Sequence, residues 1–197
     1  MKIELAALGI GDGIWEVVAT TRSREGVFNA APIGLKCIGR DLSVSLFHPS
    51  KTLKNTLETG RIGVNILHDP LVFVEAATGD LDTSYFTKFE NFPVIRDAEV
   101  WIIFEAELLE KGDAYRFDLS PLASKRFFNV PHPVNRGFNA VIEALILATR
   151  YLVVAESERK DLLSDIEHYE RIVRKCGGDR DKEAMRTLRK HLKTLQS

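Results

Sequence analysis

The stretch NAAPIGLKCIGRDLSVSLFHPSKTLKNTLETGRIGVNIL, from Asn29 to Leu67, decides how this chain folds. Phe28 to Cys37 and Leu42 to Phe47 are apolar runs of strand length, and Gly39-Arg40-Asp41 between them reads as a tight hairpin turn. A short polar helix is expected from Lys51 to Glu58, with Ser50 as N-cap and Gly60 as its stop. Arg61 to Leu67 then returns as a strand.

The pattern continues on both sides. Ile14 to Thr21 is a strand, joined to Phe28 by a polar turn that contains Gly26. Glu99 to Leu109 is another, turned by Lys111-Gly112-Asp113 into Ala114 to Leu119. Leu71 to Ala77 fits either strand or helix, and Tyr85 to Phe92 reads as aromatic and irregular. Many short strands with glycine turns predict an antiparallel barrel or sandwich. No βαβ alternation is present, which argues against a Rossmann fold. Gly9-Ile10-Gly11-Asp12-Gly13 does not alter this, because its strand follows the glycines instead of preceding them.

Composition shifts near Ser120, where Pro121, Pro131 and Pro133 punctuate a connector. Beyond it the apolar spacing predicts helices over Gly137 to Ser157, Arg159 to Lys175 and Asp181 to Leu195, with Asn135 as a candidate N-cap. The fold class is α+β, mainly β, with a barrel over 1–125 and a C-terminal helical subdomain over 126–197.

The 197 residues carry 45% hydrophobic and 28% charged side chains and a net charge of -1. That balance gives no push toward nucleic acid or an anionic membrane. No uncharged apolar run approaches the ~20 residues that span a bilayer, and no signal-peptide core is visible, so the expected compartment is cytoplasmic. Two distant cysteines exclude a disulfide scaffold, and Cys37 reads as a small core residue. His132, His168 and His191 form no metal set. His68-Asp69 lacks a nucleophile that would complete a triad.

Site chemistry concentrates around Ser50. Phe47 closes a strand that delivers His48, Ser50, Lys51 and Thr52 to the helix start. The hydroxyls, the cations and the first-turn N–H groups suit a phosphate. Capping alone does not call for Lys51 and Lys54 there, since cations oppose the helix dipole. Upstream, Ala30, Ala31, Pro32 and Gly34 are small enough for a flat ring to approach the backbone. The two halves point to a phosphorylated, planar cofactor. Asn65, expected to aim into the barrel, needs a partner in the protein or a ligand. Arg136, before an apolar helix, could reach an anion or a partner subunit.

Thr20-Thr21, Gly26 to Gly34, His48 to Thr56, Val64 to Phe73 and Asn135 to Arg150 together resemble an uncharacterised archaeal family of FMN-binding split-barrel proteins. The N-terminal part is more distantly similar to flavin reductases and pyridoxamine-phosphate-oxidase-like barrels. The resemblance implies a six-stranded antiparallel Greek-key split β-barrel of the FMN-binding type, a homodimer, and one FMN per subunit near the dimer interface. It implies that Ser50, Lys51 and Thr52 hold the phosphate, with Phe47 and His48 beside them; His48 stands where arginine is expected. Asn29, Ala30, Ala31, Pro32, Ile33 and Gly34 would line the isoalloxazine. Asn55 and Asn65 would serve the ribityl chain or support the loop, and Arg136 and Asn139 are further candidates.

On this basis the expected activity is that of an FMN-dependent oxidoreductase, a flavin or ferric reductase with an NAD(P)H donor. Arg22 and Arg24 are the candidate nicotinamide-side cations. The alternatives are a non-enzymatic FMN carrier, sensor or electron-transfer module, or a barrel adapted to haem or pyridoxal phosphate. Surplus aromatics between 85 and 104 (Tyr85, Phe86, Phe89, Phe92, Trp101, Phe104) are expected to form the dimer face.

Overall fold

The structure is a computed structural model that describes residues 5–127 and 135–196. Its strands are β1 (Gly13–Arg22), β2 (Phe28–Ile38), β3 (Asp41–Phe47), β4 (Arg61–Ile66), β5 (Phe86–Phe89), β6 (Phe92–Ile95), β7 (Val100–Glu110) and β8 (Ala114–Arg126). Its α-helices are α1 (Lys51–Thr59), α2 (Pro70–Thr78), α3 (Arg136–Arg150), α4 (Arg159–Cys176) and α5 (Asp179–Gln196). The chain divides into two compact units. One runs to His68 and resumes at Leu81; the other holds Asp69–Asp80 and the C-terminal helices.

In the first unit six antiparallel strands close a barrel in the order β1-β2-β3-β8-β7-β4. The step from β3 to β4 is the Greek-key crossing, since β8 and β7 lie between them in the sheet. Strand periodicity fills the interior: Val17, Leu35, Val44, Leu46, Ile62, Val64, Ile102, Phe104 and Phe117 form one buried cluster. Each such side chain contributes ~1.5–3 kcal/mol on burial. Leu53 of α1 joins the same cluster, so the helix closes part of the barrel end.

The barrel is not laddered evenly. β1 pairs with β2 along its whole length, from Gly13↔Cys37 to Arg22↔Phe28. β3 pairs with β2 only from Leu35↔Val44 to Ile38↔Asp41. Residues Phe28 to Gly34 therefore have a ladder partner on the β1 side alone. Pro32, which has no N–H to give, falls within this half.

A hairpin of β5 and β6 covers the outer wall of β1, β4 and β7. Its turn residues Glu90 and Asn91 have φ of 47° and 58°, the positive values of a type I′ turn. Thr20 Oγ1 donates to the Pro93 carbonyl at 2.7 Å, and Trp101 Nε1 donates to the Ile95 carbonyl at 2.7 Å. Asn65 Nδ2 donates to the Val18 carbonyl (2.8 Å) and to Thr20 Oγ1 (3.2 Å), while its Oδ1 accepts from the Ile95 amide at 2.8 Å. Gly63 is required here: a Cβ would collide with Thr20 Oγ1 and lie 3.2 Å from the Pro93 carbonyl.

Three sequence expectations are corrected in this unit. Tyr85 to Phe92 is not irregular; it enters this hairpin, which four-residue strands and a Glu-Asn turn conceal from pattern reading. Pro121 is not in a connector. β8 runs through it to Arg126, and the register steps from Ile103↔Ala123 to Phe104↔Pro121, leaving Leu122 as a bulge that tolerates the proline. Nor are the aromatics of 85–104 a free face, because Phe86, Phe92, Trp101 and Phe104 are all buried. Exposed apolar side chains lie instead at Ile14, Trp15, Ile38, Phe47, Leu57 and Leu109.

In the helical unit α2 settles the segment that fitted strand or helix. Asp69 caps it, accepting from the Leu71 amide at 3.0 Å, and Pro70 occupies its first turn. Asp69 also pairs with Arg180 at 2.6 Å, so His68-Asp69 is a helix entrance and not half of a catalytic pair. Phe73 of α2 meets Phe138 of α3 edge to face at 6.3 Å. Asn135 caps α3 through a 2.8 Å bond from the Gly137 amide, and its Nδ2 reaches the buried Asp181 at 3.3 Å. α3 ends at Arg150, short of the expected Ser157, and a short 3₁₀ turn follows at Glu156–Glu158. No helix among the described residues is long and apolar enough to cross a membrane.

Candidate functional site

The site is built at the start of α1. Ser50 holds an extended backbone (φ -141°, ψ 147°) and caps the helix, its Oγ accepting from the Leu53 amide at 3.1 Å. The other first-turn amides project from the helix start, as in any α-helix. No acidic residue lies in that turn, while Lys51 and Lys54 do. Glu58 lies 4.0 Å from the Lys54 ammonium, one turn along the helix. His48, Ser50, Lys51 and Lys54 are all exposed.

Behind this surface lies a buried polar network. Asn29 Nδ2 donates to Thr52 Oγ1 at 3.1 Å and approaches Thr21 Oγ1 at 3.4 Å. Asn55 Nδ2 donates to Thr21 Oγ1 at 3.1 Å. The network ties α1 to the ends of β1 and β2, where Thr21 and Asn29 are ladder partners. Because Thr52 Oγ1 already accepts, its hydroxyl proton is left to donate elsewhere. Thr56, one turn further in, is buried with its Oγ1 unpartnered among the described residues.

The strand pleat divides the six residues from Asn29 to Gly34. Asn29, Ala31 and Ile33 share the face that meets α1 and the core. Ala30, Pro32 and Gly34 point the other way, and the volume a Cβ would occupy at Gly34 is taken by Ile14 Cγ2 at 3.0 Å. All six belong to the half of β2 that lacks β3 as a ladder partner.

α1 has two working faces. Thr52, Asn55 and Thr56 turn inward, whereas Lys54 and Leu57 lie on the opposite side and Lys51 stands at the border between the two. There a cleft of about 530 Å³ is lined by His48, Pro49, Ser50, Lys51, Leu53, Lys54, Leu57 and Tyr115 of β8.

The remaining candidates separate from this site. Asn65, with three internal bonds and no exposure, faces outward to β6 and not into the barrel as expected; its role is to hold that strand. Arg136 and Asn139 are exposed in the first turn of α3, in the helical unit. Arg22 donates to the Asn91 carbonyl at 3.3 Å and lies 5.8 Å from the Phe92 ring centre, which commits it to the hairpin. Burial pushes the Cys37 thiol up, and Asp12 and Asp41 add to the shift, in keeping with a core residue. No cluster of metal ligands occurs among the described residues. Thr21 was missed; its signal was the ladder position opposite Asn29 around the Gly26 turn.

This barrel is of the split type found in flavin reductases. It is similar to the styrene monooxygenase flavin reductase (SMOB) of Pseudomonas putida S12, at a TM-score of 0.51 and 18% identity over 61% of this chain and 93% of that one, a likeness of fold alone. The chain belongs to the family described as protein of unknown function (DUF447), matching its N-terminal domain over residues 15–126 and its C-terminal part over 135–190. Within that family it is similar to MM1853 of Methanosarcina mazei, a protein whose crystal structure is FMN-bound. The two are 37% identical with a TM-score of 0.87, covering 95% of this chain and 100% of that one. It is also 26% identical to the uncharacterized protein MJ1453 of Methanocaldococcus jannaschii, over 92% of this chain and 100% of that one.

Proposed function

We propose that this chain binds FMN and acts as an oxidoreductase, passing electrons from a nicotinamide donor to a flavin or ferric acceptor. The observation that carries the reading is the helix start of α1, where hydroxyls and cations gather with no acidic residue in the first turn, beside the open half of β2. The donor set suits a phosphate monoester: the Ser50 and Thr52 hydroxyls, the Lys51 ammonium and first-turn amides. MM1853, 37% identical and FMN-bound, supports the same cofactor. Asn29, Ala31 and Ile33 would bound the ring on one side, with strand backbone offered at the open edge.

FMN supplies hydride and single-electron chemistry when bound, so the chain needs no acid or base of its own for that step. Ser50, Lys51 and Thr52 bind and orient. Asn29 and Asn55 keep the helix start fixed to the barrel. A homodimer in the cytoplasm is part of this proposal; the exposed Trp15 and Phe47 are candidate contacts, and a monomeric mass by light scattering at micromolar concentration would exclude it.

The commitment of Arg22 to the hairpin favours a second reading, in which the chain carries or relays electrons without a nicotinamide site. An absorbance spectrum of the purified protein, followed by anaerobic NADPH addition, separates these. The two-banded flavin spectrum that bleaches with NADPH supports the reductase. A flavin that stays oxidised supports the carrier. No flavin, and none taken up from added FMN, overturns the proposal.

A further inference from the structure

We infer that the outward face of α4 is a contact surface for a second copy of this chain, paired antiparallel about a two-fold axis at His168. α4 packs against α3, and its buried side carries Leu162, Ile166 and Val173. The other side carries Asp161, Ser164, Asp165, His168, Arg171 and Lys175, all exposed. Positions 161, 168 and 175 repeat every seven residues, with 164 and 171 between them. That is the spacing of a seam between two helices. The inference rests on this helix and not on the flavin reading.

The charge order along the seam decides the partner. Carboxylates stand at Asp161 and Asp165, cations at Arg171 and Lys175. The helix dipole accounts for the outermost two, since Asp161 lies in the first turn and Lys175 in the last. It does not account for Asp165 and Arg171, because its effect fades beyond the terminal turns. Within the helix this order is unfavourable. Asp161 and Asp165 stand four residues apart, as do Arg171 and Lys175, and like charges at that spacing repel. None of the four makes an ion pair among the described residues, whereas Glu167 and Glu170 on the adjoining face both meet Arg189 of α5. An antiparallel copy turns the repulsion into attraction. A two-fold axis at His168 sets each residue opposite the one equally far along on the other side. Asp161 then faces Lys175 of the second copy, Asp165 faces Arg171, and Ser164 faces Ile172. A partner of one charge sign would suit half of the stripe and repel the other half, whereas a second copy suits both.

The test reads the contact at position 168 itself, so neither FMN uptake nor any contact between barrels enters its result. The full chain carries Cys176→Ser and His168→Cys, and its one other cysteine, Cys37, is buried. Under mild oxidation it should form a covalent dimer, because the two-fold axis brings the two new thiols together. Lys175→Glu and, separately, Asp161→Lys should each slow that crosslink about tenfold, by setting like charges opposite each other at both ends. An equimolar mixture of these two variants should crosslink at close to the parent rate, as the heterodimer. Each end of that pair again holds one cation and one carboxylate. High salt should bring all the rates together. Three results would overturn the inference. They are no covalent dimer at millimolar protein, single variants that crosslink at the parent rate, and a mixture no faster than its components.

Discussion

Thr20 and Thr21 are neighbours on β1, yet they serve two different polar systems. Thr20 points out through the barrel wall and joins Asn65, Pro93 and Ile95. Thr21 points in at the barrel end and joins Asn29, Asn55 and, through Asn29, Thr52. Both systems are built from threonine and strand asparagine, and both are largely buried. In the Asn65 system each polar atom of the amide side chain ends on protein, so it functions as a rivet. In the Asn29 system the hydroxyl proton on Thr52 has no acceptor among the described residues, directly beneath an exposed cationic helix start. The difference shows that a buried asparagine marks a site only when its network leaves a donor or acceptor for something else.

The sharpest way to break this comparison is at Asn65. Asn65→Leu leaves the Ile95 amide and the Val18 carbonyl unpaired beneath β6. Each orphaned buried group costs roughly 1–3 kcal/mol, so a stability loss of about 3 kcal/mol is expected. Urea unfolding measures it, and the folded fraction should bind FMN with unchanged affinity. A variant of native stability, or one that is stable but has lost FMN, would move Asn65 from the rivet to the site.

The complementary change is Lys51→Glu. It faces solvent and should alter stability little. Replacing a charge-assisted contact to phosphate, worth roughly 1.5–3 kcal/mol, with a repulsive carboxylate should weaken FMN by about 30-fold or more. The loss should shrink in high salt, because an exposed charge is screened. Fluorescence titration of FMN at two ionic strengths checks both points; an unchanged Kd would remove the phosphate from this helix start.

Much of the barrel was legible in the sequence, and so was the helix-start half of the candidate site. β1 to β4 and α1 carry apolar periodicity with glycine stops, so their bounds fall within a residue or two of those expected. The hydroxyl and lysine cluster after β3 was legible because cations at a helix N-terminus conflict with the dipole. What escaped was long-range. Asn29 and Asn65 look alike in sequence, and only the ladder decides which face each takes. The β5–β6 hairpin escaped because four-residue strands hold too few positions to show a period. α2 was ambiguous for a related reason: Leu71, Val72, Phe73 and Val74 are all buried, so no polar face marks the helix.

Between the rivet and the site stands Asn29, half-buried and bonded to both Thr21 and Thr52. Asn29→Leu should cost about 1 kcal/mol of stability, the net worth of an ordinary hydrogen bond. It should weaken FMN about tenfold, because Thr52 loses the donor that turns its own proton outward. Asn29→Asp makes the sharper test. A carboxylate there accepts from Thr52, withdraws that proton from the phosphate and adds a like charge nearby. Its FMN affinity should fall below that of Asn29→Leu at similar stability; the reverse order would make Asn29 a strut only.

The smallest expected effect is at Arg22, which decides between the reductase and the carrier. Its guanidinium is partly exposed, so removing the bond to the Asn91 carbonyl should cost no more than about 0.5 kcal/mol. If Arg22 is purely a hairpin contact, Arg22→Ala should leave NADPH oxidation by the FMN-loaded protein unchanged. The change should appear instead as faster amide exchange at the Glu90-Asn91 turn, because that turn is held to β1 by this side chain. A rise in the NADPH KM with unaltered exchange would mean that Arg22 releases the hairpin to take a pyridine nucleotide. The outer wall would then belong to the chemistry, and the line drawn between Thr20 and Thr21 would have to move.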